Sequence, residues 1–265
     1  MTDILELAAR IDRARLDRVP IPQLAEAESV DLDASYDVQS AGIELRRGRG
    51  ESVVGVKLGF TSKAKAEQMG VSDVILGVIT DEMQVGDGDA VDRSRFIHPR
   101  IEPEVAFLLG ADLDPDAPAD DQLAAVAQVA PALEIIDSRY RDFRFALEDV
   151  VADNTSAAGF VIGPWRELAA VRAELDLADL AVELAVDGEP AATGSTGDIL
   201  GDPLHAVAAV VRMATRYGVR VPAGSIILAG AATAAVPLPD RPGAEVVASV
   251  AGLGRVSVTI GGTDG

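Results

Sequence analysis

The amino-acid sequence predicts an α+β fold in which short strands outnumber helices and a small helical region comes first. Apolar residues at helical spacing dominate roughly the first 45 residues. From about residue 85 onward, short β-rich runs alternate with Gly, Pro and Asp. Many short strands with few helices are typical of a β-roll or β-sandwich. We therefore predict an N-terminal helical α/β region over residues 1–80 and a β-roll over residues 81–265, packed as one integrated unit.

The spacing of apolar residues also predicts where the helices lie. The first helix runs from Thr2 to Arg18, with Thr2 or Asp3 as its N-cap, and the second runs from near Asp33 towards Leu45. The Arg46–Gly50 stretch after it is typical of an exposed turn. Shorter helices are predicted at Thr61–Met69, at about Asp120–Val129, at Leu147–Asp149 and at Pro203–Tyr217.

Alternating, β-rich runs predict the strands. The Asp187-Gly188 pair predicts a tight hairpin, because Asp-Gly favours a two-residue turn. The predicted strands are Ser52–Leu58, Val74–Ile79, Phe96–Ile97, Val105–Leu109, Phe160–Ile162, Ala181–Val186, Ser225–Ala229, Val246–Val250 and Arg255–Ile260.

The chain carries a formal net charge of −20 and contains no cysteine. The negative charge argues against nucleic acid and anionic membranes as partners, since both favour a positive protein surface. Without cysteine, disulfides, thiolate metal sites and cysteine nucleophiles are excluded. The sequence has no apolar run long enough to span a bilayer and no signal-peptide pattern at its N-terminus, so we expect a cytoplasmic protein.

Three glutamates lie in apolar, strand-like surroundings. Glu102 and Glu104 alternate with apolar residues in Ile101–Phe107, and alternate residues of a strand point to the same face. Glu134 lies within the apolar run Leu-Glu-Ile-Ile. Carboxylates close together repel one another and lose hydration unless a cation or a proton neutralises them. Three oxygen ligands suit Mg²⁺ or Mn²⁺, whereas a Glu-x-Glu pair taken alone is more often a solvated sheet face.

Further polar groups lie between apolar runs. Lys57 is either a strand-edge lysine whose ammonium reaches solvent or an acid–base group beside the acidic site. Asp153–Ser156 either forms a turn or lines a pocket. Arg139, with Arg141 and Arg144 further on, could hold a substrate carboxylate, although salt bridges within the protein explain these arginines equally well.

Six stretches of the chain, taken in order, form a recognisable set. They are Val56–Ser62, Glu67–Val71, His98–Glu104, Pro131–Arg139, Val151–Ser156 and, as a weaker match, Gly224–Thr233. In this order they resemble the 2-oxo-4-pentenoate hydratase/4-oxalocrotonate decarboxylase family, within the fumarylacetoacetate hydrolase superfamily. The resemblance covers nearly the whole chain, and the joint order is far more specific than any single motif.

The resemblance implies a mixed β-sandwich roll with a small N-terminal α/β region, assembled as a homo-oligomer. It also implies a Mg²⁺ or Mn²⁺ ion held by Glu102, Glu104 and Glu134. The substrates would be 2-oxo acids from the meta-cleavage of aromatic compounds, and Lys57 would polarise or protonate a dienolate. The residues that would bind substrate are Met69, Arg139, Asp153, Ser156 and Thr233.

Two activities, decarboxylation and hydration, share this scaffold. In the hydratases that the chain resembles, an aspartate commonly stands where this chain has Ile75. An apolar residue there fits decarboxylation better, because a carboxylate would repel a dianionic substrate. Thr80, Tyr140 and Phe143 also resemble the decarboxylase branch.

We therefore predict a metal-dependent 4-oxalocrotonate decarboxylase, which converts 2-oxo-3-hexenedioate to 2-hydroxypenta-2,4-dienoate and CO₂. The enzyme could also form a complex with a related hydratase. The main alternative is a 2-oxopent-4-enoate (2-hydroxypentadienoate) hydratase, for which Asp73 could supply the missing carboxylate. A non-catalytic partner subunit of such a hydratase is the second alternative, but the intact set of three glutamates and Lys57 argues against it.

Overall fold

A computed structural model describes residues 3–24, 30–62, 73–114 and 116–262 of the chain. The side chain of Asp3 caps the first helix by accepting the amide protons of Leu5 and Glu6, and Gly218 ends the last helix in a left-handed conformation. The α-helices are α1 (Ile4–Asp17), α2 (Leu32–Arg47), α3 (Ala119–Gln122), α4 (Leu147–Ala152), α5 (Leu168–Glu174) and α6 (His205–Tyr217). In these ranges no helix is both long and apolar enough to cross a membrane.

The strands of the described residues are β1 (Val53–Gly59), β2 (Ile75–Thr80), β3 (Gln84–Val85), β4 (Ala90–Val91), β5 (Arg100–Leu109), β6 (Val126–Ile136), β7 (Ala157–Ile162), β8 (Arg166–Glu167), β9 (Ala181–Val186), β10 (Glu189–Ser195), β11 (Ile226–Ala231), β12 (Val236–Pro237), β13 (Glu245–Val250) and β14 (Gly254–Ile260). They form two sheets. The larger sheet has nine strands in the order β2-β1-β11-β5-β6-β7-β3, with β12 beside β5 and β8 beside β6. The smaller sheet has five, in the order β10-β9-β13-β14-β4.

Strict alternation along β5 and β6 gives the larger sheet two different faces. Ile101, Leu133 and Ile135 point to one face and pack against the smaller sheet, together with Leu184 and Val246. The other face carries the three glutamates and then, further along, a separate apolar cluster. That cluster includes Ala106, Ala132, Phe160, Ile226 and Leu228. The glutamates are therefore embedded in the sheet's interior face and do not lie on a solvated one.

The structure confirms the predicted α+β fold and most of its elements. The Ala181–Val186 strand has the predicted bounds, and Asp187 and Gly188 connect it to β10 through a tight turn with φ values of 53° and 81°. β1 and β2 precede the predicted boundary at residue 80 but pair within the same sheet as later strands. The division at that residue stays a prediction.

Three local predictions are wrong. Phe96–Ile97 is not a strand, because the Asp137 carboxylate accepts the amide protons of Ile97 and His98 and draws this segment into a loop. The predicted Asp120–Val129 helix ends early, and β6 begins at Val126 because it pairs with β5.

The exposed turn predicted to begin at Arg46 is the third error. Arg46 is the buried penultimate residue of α2, and its guanidinium pairs with Glu51 at 3.0 Å. The part of the predicted Thr61–Met69 helix that begins at residue 63 lies outside the described residues.

Candidate metal centre and substrate cavity

The pairing of β5 with β6 brings three carboxylates together. Glu102 lies directly opposite Glu134 in the antiparallel register, and Glu104 lies two residues further along the same face of β5. One carboxylate oxygen from each residue lies within 4.8 Å of the others. All three are buried, with exposed fractions of 5%, 0% and 1% for Glu102, Glu104 and Glu134.

This arrangement is unfavourable unless positive charge is present. Like charges directly opposite on neighbouring strands destabilise a sheet, and burial adds the loss of hydration. The backbone amide of Gly230 donates to Glu104 Oε2 at 2.9 Å. No donor from the described part of the chain reaches Glu104 Oε1 or Glu134 Oε1. Buried carboxylate oxygens without donors fit a hard divalent cation, since Mg²⁺, Mn²⁺ and Ca²⁺ prefer oxygen ligands.

Lys57 lies beside the carboxylates and is buried. Its register on β1 through Leu228 to Ala106 places it on the same sheet face as Glu104. The ammonium lies 2.9 Å from Glu134 Oε2 and donates to the Thr155 carbonyl at 3.2 Å. With 3% of its surface exposed, Lys57 is not the strand-edge lysine of the alternative interpretation.

The pKa values in this cluster follow from burial and from mutual charge. Burial alone would lower the pKa of the Lys57 ammonium, but the neighbouring carboxylates, Glu134 foremost, outweigh it and raise that pKa. Burial, then the charge of Glu134, raises the pKa of Glu104 well above its ordinary value. Burial also raises the pKa of Glu134, although Lys57 opposes the shift. The carboxylates therefore favour a proton or a metal ion.

A cavity of about 320 Å³ opens above Lys57 and Glu102. Its wall is mostly apolar, with a few polar groups near the charged floor, as in many small-molecule sites. Arg100 is the one cation besides Lys57 among the described lining residues. The remaining lining residues that bear side chains are Phe60, Ile75, Ile136, Phe143, Phe145, Val150, Thr155, Ser156, Ala234 and Ala235.

The predicted substrate-binding residues fall into different places. Ser156 lines the cavity, and Thr233 directly precedes the lining residues Ala234 and Ala235. Met69 lies outside the described residues.

Arg139 and Asp153 do not line this cavity; they form a buried ion pair with each other. The Arg139 guanidinium also donates to the Asp137 and Asp153 carbonyls. Burial raises the pKa of the Asp153 carboxyl to about 6, while the positive charge of Arg139 opposes that rise. The pair thus has the salt-bridge arrangement that the sequence had left open.

The residues interpreted as markers of the decarboxylase branch do not all lie at the cavity. Ile75 and Phe143 line the cavity. Thr80 is buried elsewhere, where its hydroxyl donates to Glu51, and Tyr140 packs in a core cluster with residues of α1 and α2. Asp73, offered as a substitute carboxylate, pairs with Arg212 on α6 and does not line the cavity.

Sequence reasoning missed Arg100 as part of the site. Its guanidinium carbon lies 4.8 Å from the centre of the Phe143 ring, which fixes it at the cavity wall. The alternation that grouped Glu102 with Glu104 also places Arg100 on the same face, so the signal was present in the sequence. Phe60 and Phe145 were missed because no spacing rule connects them to β5.

The fold and the site together define a protein with a buried carboxylate centre, suited to a divalent cation, beneath a small-molecule cavity. A sequence model of the Fumarylacetoacetate (FAA) hydrolase C-terminal family matches residues 52–261. The chain belongs to this family.

Several known proteins are similar to this chain over nearly its full length. A 4-oxalocrotonate decarboxylase from Pseudomonas sp is 44% identical over 98% of both chains. A 2-keto-4-pentenoate hydratase from Paraburkholderia xenovorans (strain LB400) is 35% identical, over 95% of this chain and 92% of that protein. The structure of 4-oxalocrotonate decarboxylase from Pseudomonas putida G7, complexed with magnesium and adipate, superposes with a TM-score of 0.90 at 37% identity, covering 97% of each chain.

The carboxylate centre makes a testable prediction about stability. In the metal-free protein at pH 8, Glu104→Gln should raise the melting temperature, because the amide keeps the shape of the side chain and removes a carboxyl group that folding must either protonate or bury as a charge. The same variant should lose the rise in melting temperature that Mn²⁺ gives the wild type by binding the folded state. Both effects are measured by calorimetry with and without Mn²⁺. The exposed Glu189→Gln serves as the control, and an unchanged Mn²⁺ effect in Glu104→Gln would place the ion elsewhere.

The Arg139–Asp153 pair makes a second prediction. Arg139→Met should lower the free energy of unfolding by about 3–5 kcal/mol, because it leaves a buried carboxylate without its partner. Urea denaturation at pH 8 measures this loss, and Arg139→Met combined with Asp153→Asn should recover much of it. A variant of unchanged stability whose KM for substrate rises tenfold would instead support the substrate-binding role.

Proposed function

We propose that the protein is a metal-dependent 4-oxalocrotonate decarboxylase, which releases CO₂ from 2-oxo-3-hexenedioate and forms 2-hydroxypenta-2,4-dienoate. The observation that carries the proposal is a buried cluster of three glutamates and Lys57, of which Glu102 and Lys57 line the cavity, under a wall that contains Ile75. The relative that is 44% identical is named 4-oxalocrotonate decarboxylase, which supports the proposal.

The three glutamates would hold Mg²⁺ or Mn²⁺ at the floor of the cavity. Such an ion, when bound, supplies Lewis acidity to a 2-oxo group and its neighbouring carboxylate. The apolar wall near Ile75 and Phe143 would then receive the far end of the dicarboxylate. Apolar surroundings favour loss of that carboxylate, because a localised charge is less stable there than a charge spread over a conjugated chain.

Lys57 would act on the electrons released by this step. When the bond to the leaving carboxyl carbon breaks, its electron pair shifts along the conjugated chain to the 2-oxo oxygen, and CO₂ departs. The Lys57 ammonium can stabilise that oxygen or give it a proton, which yields the 2-hydroxydiene. Its position against Glu134 keeps it charged and fixed at the floor of the cavity.

Hydration needs a group that delivers a proton and a water molecule to the diene. Glu102 is the one carboxylate among the described residues that line the cavity, and it belongs to the proposed metal site. Asp73 is engaged with Arg212. The site therefore favours decarboxylation over hydration.

We also infer a homo-oligomer, which could associate with a related hydratase and work in the cytoplasm. Leu5 and Val19 in the N-terminal region are 72% and 58% exposed, and we propose these two side chains as candidate contacts between subunits.

A direct assay tests the proposed activity. With Mg²⁺, the protein should release CO₂ from 2-oxo-3-hexenedioate, and EDTA should abolish the release. Lys57→Met should lower kcat by at least about 100-fold, the usual contribution of a positioned acid–base group. The control Arg212→Met removes an exposed cation of α6 and should leave kcat unchanged. Consumption of 2-hydroxypenta-2,4-dienoate without CO₂ release from the dicarboxylate would establish the hydratase instead.

Substitutions of Ile75 in the cavity wall test whether the site favours decarboxylation over hydration. Ile75→Asp should lower kcat/KM for decarboxylation at least about tenfold, because a carboxylate in the wall repels the dianionic substrate. Ile75→Asn has nearly the same shape without the charge and should lose much less. Equal losses in the two variants would mean that shape, and not charge, matters at this position.

A further inference from the structure

The segment after α4 has an unusual backbone. Asn154, Thr155 and Ser156 are consecutive and have φ values of 51°, 55° and 58°. This left-handed region is rare for residues other than glycine, and rarest for β-branched residues such as threonine. Such runs persist only where surrounding contacts hold them, and they cluster at functional sites. The three side chains are buried, so contacts with the surrounding residues can hold this turn in place.

The side chain of Asn154 attaches the turn to β2. Its Oδ1 accepts the Val78 amide proton at 2.8 Å, and its Nδ2 donates to the Val78 carbonyl at 2.8 Å. The side-chain amide thus pairs with a strand residue in the way that a neighbouring strand would. Asparagine is also among the few residues that tolerate a left-handed backbone.

The turn meets Lys57 directly. The Lys57 ammonium donates to the Thr155 carbonyl at 3.2 Å, and the same nitrogen lies 2.9 Å from Glu134 Oε2. Gly77, which is paired with Lys57 in the sheet, leaves room for this contact. A Cβ atom at Gly77 would lie 2.9 Å from the Asn154 carbonyl oxygen and 3.0 Å from Cδ of Lys57.

We propose that Asn154 is a positioning residue for Lys57. Its side-chain amide fixes the left-handed turn to β2, and the Thr155 carbonyl on that turn holds the ammonium at the cavity floor. Asn154 does not line the cavity, so it acts through Lys57 and not on the substrate. The kinetic part of this proposal rests on the proposed function, whereas its geometric part does not.

Asn154→Gly tests the proposal, because glycine keeps the left-handed backbone accessible and removes only the amide. The expected result is a tenfold or greater fall in kcat, with KM for 2-oxo-3-hexenedioate and the Mn²⁺ dissociation constant within threefold of wild type. The metal affinity should hold because the three glutamates lie on β5 and β6, which this amide does not contact.

The matched control is Gln39→Met. Gln39 is another buried amide, and it donates to the carbonyls of Leu76 on β2 and Val151 on α4, so neither of these hydrogen bonds involves the turn. This variant should lose melting temperature to a degree similar to Asn154→Gly and keep kcat within twofold. Equal kcat in the two variants, whether retained or lost, would overturn the positioning role.

Two further measurements keep the test decisive. If Asn154→Gly does not fold, Gly77→Ala disturbs the same contact from β2 and should show the same selective fall in kcat; full activity there overturns the proposal. If the wild type does not decarboxylate 2-oxo-3-hexenedioate, the proposed function fails and a crystal structure of Asn154→Gly decides the geometric part. Separation of Lys57 Nζ from the Thr155 carbonyl supports positioning, and an unchanged contact refutes it.

Discussion

The register of two antiparallel strands determines the character of this site, since it sets Glu102 opposite Glu134 in the interior of the sheet. Three carboxylates and one lysine leave two negative charges if all are ionised, and these groups have little surface exposed to water. A single divalent cation would balance that charge and occupy the oxygens that receive no donor. The same charge balance explains why Lys57 is buried, because a lysine is rarely buried without a partner.

The rest of the fold keeps this charged cluster buried and in place. On the opposite face of the same strands, Ile101, Leu133 and Ile135 pack against the smaller sheet, so β5 and β6 cannot shift register without burying charge in that core. Strained backbone gathers on the cavity side, where Phe60, Phe143 and the turn at Thr155 all have positive φ. A rigid sheet thus supports a less regular wall whose loops present the side chains that meet a ligand.

Patterns local in sequence predicted the larger part of this arrangement. Alternation along β5 grouped Glu102 with Glu104, and the apolar frame of Glu134 marked it as buried. The role of Arg139 was not predictable in this way, because its partner Asp153 is joined to it by packing and not by spacing. The loop at Phe96–Ile97 was not predicted for the same reason, because the carboxylate that accepts its amide protons belongs to Asp137, some 40 residues away. Local periodicity predicts which face of a strand or helix a side chain occupies. Contacts between residues distant in sequence determine which polar groups are available to a ligand.

The cavity combines two environments that the proposed decarboxylation needs at opposite ends of one substrate. The floor concentrates charge around Lys57 and Glu102, while Ile75 and Phe143 make the wall apolar. A dianion must still approach a protein whose net charge is −20, which opposes association. Arg100, exposed and stacked on Phe143, provides local positive charge at the wall. Arg100 can therefore attract an approaching dicarboxylate, whereas Ile75 would supply the apolar surroundings in which the leaving carboxylate loses its charge.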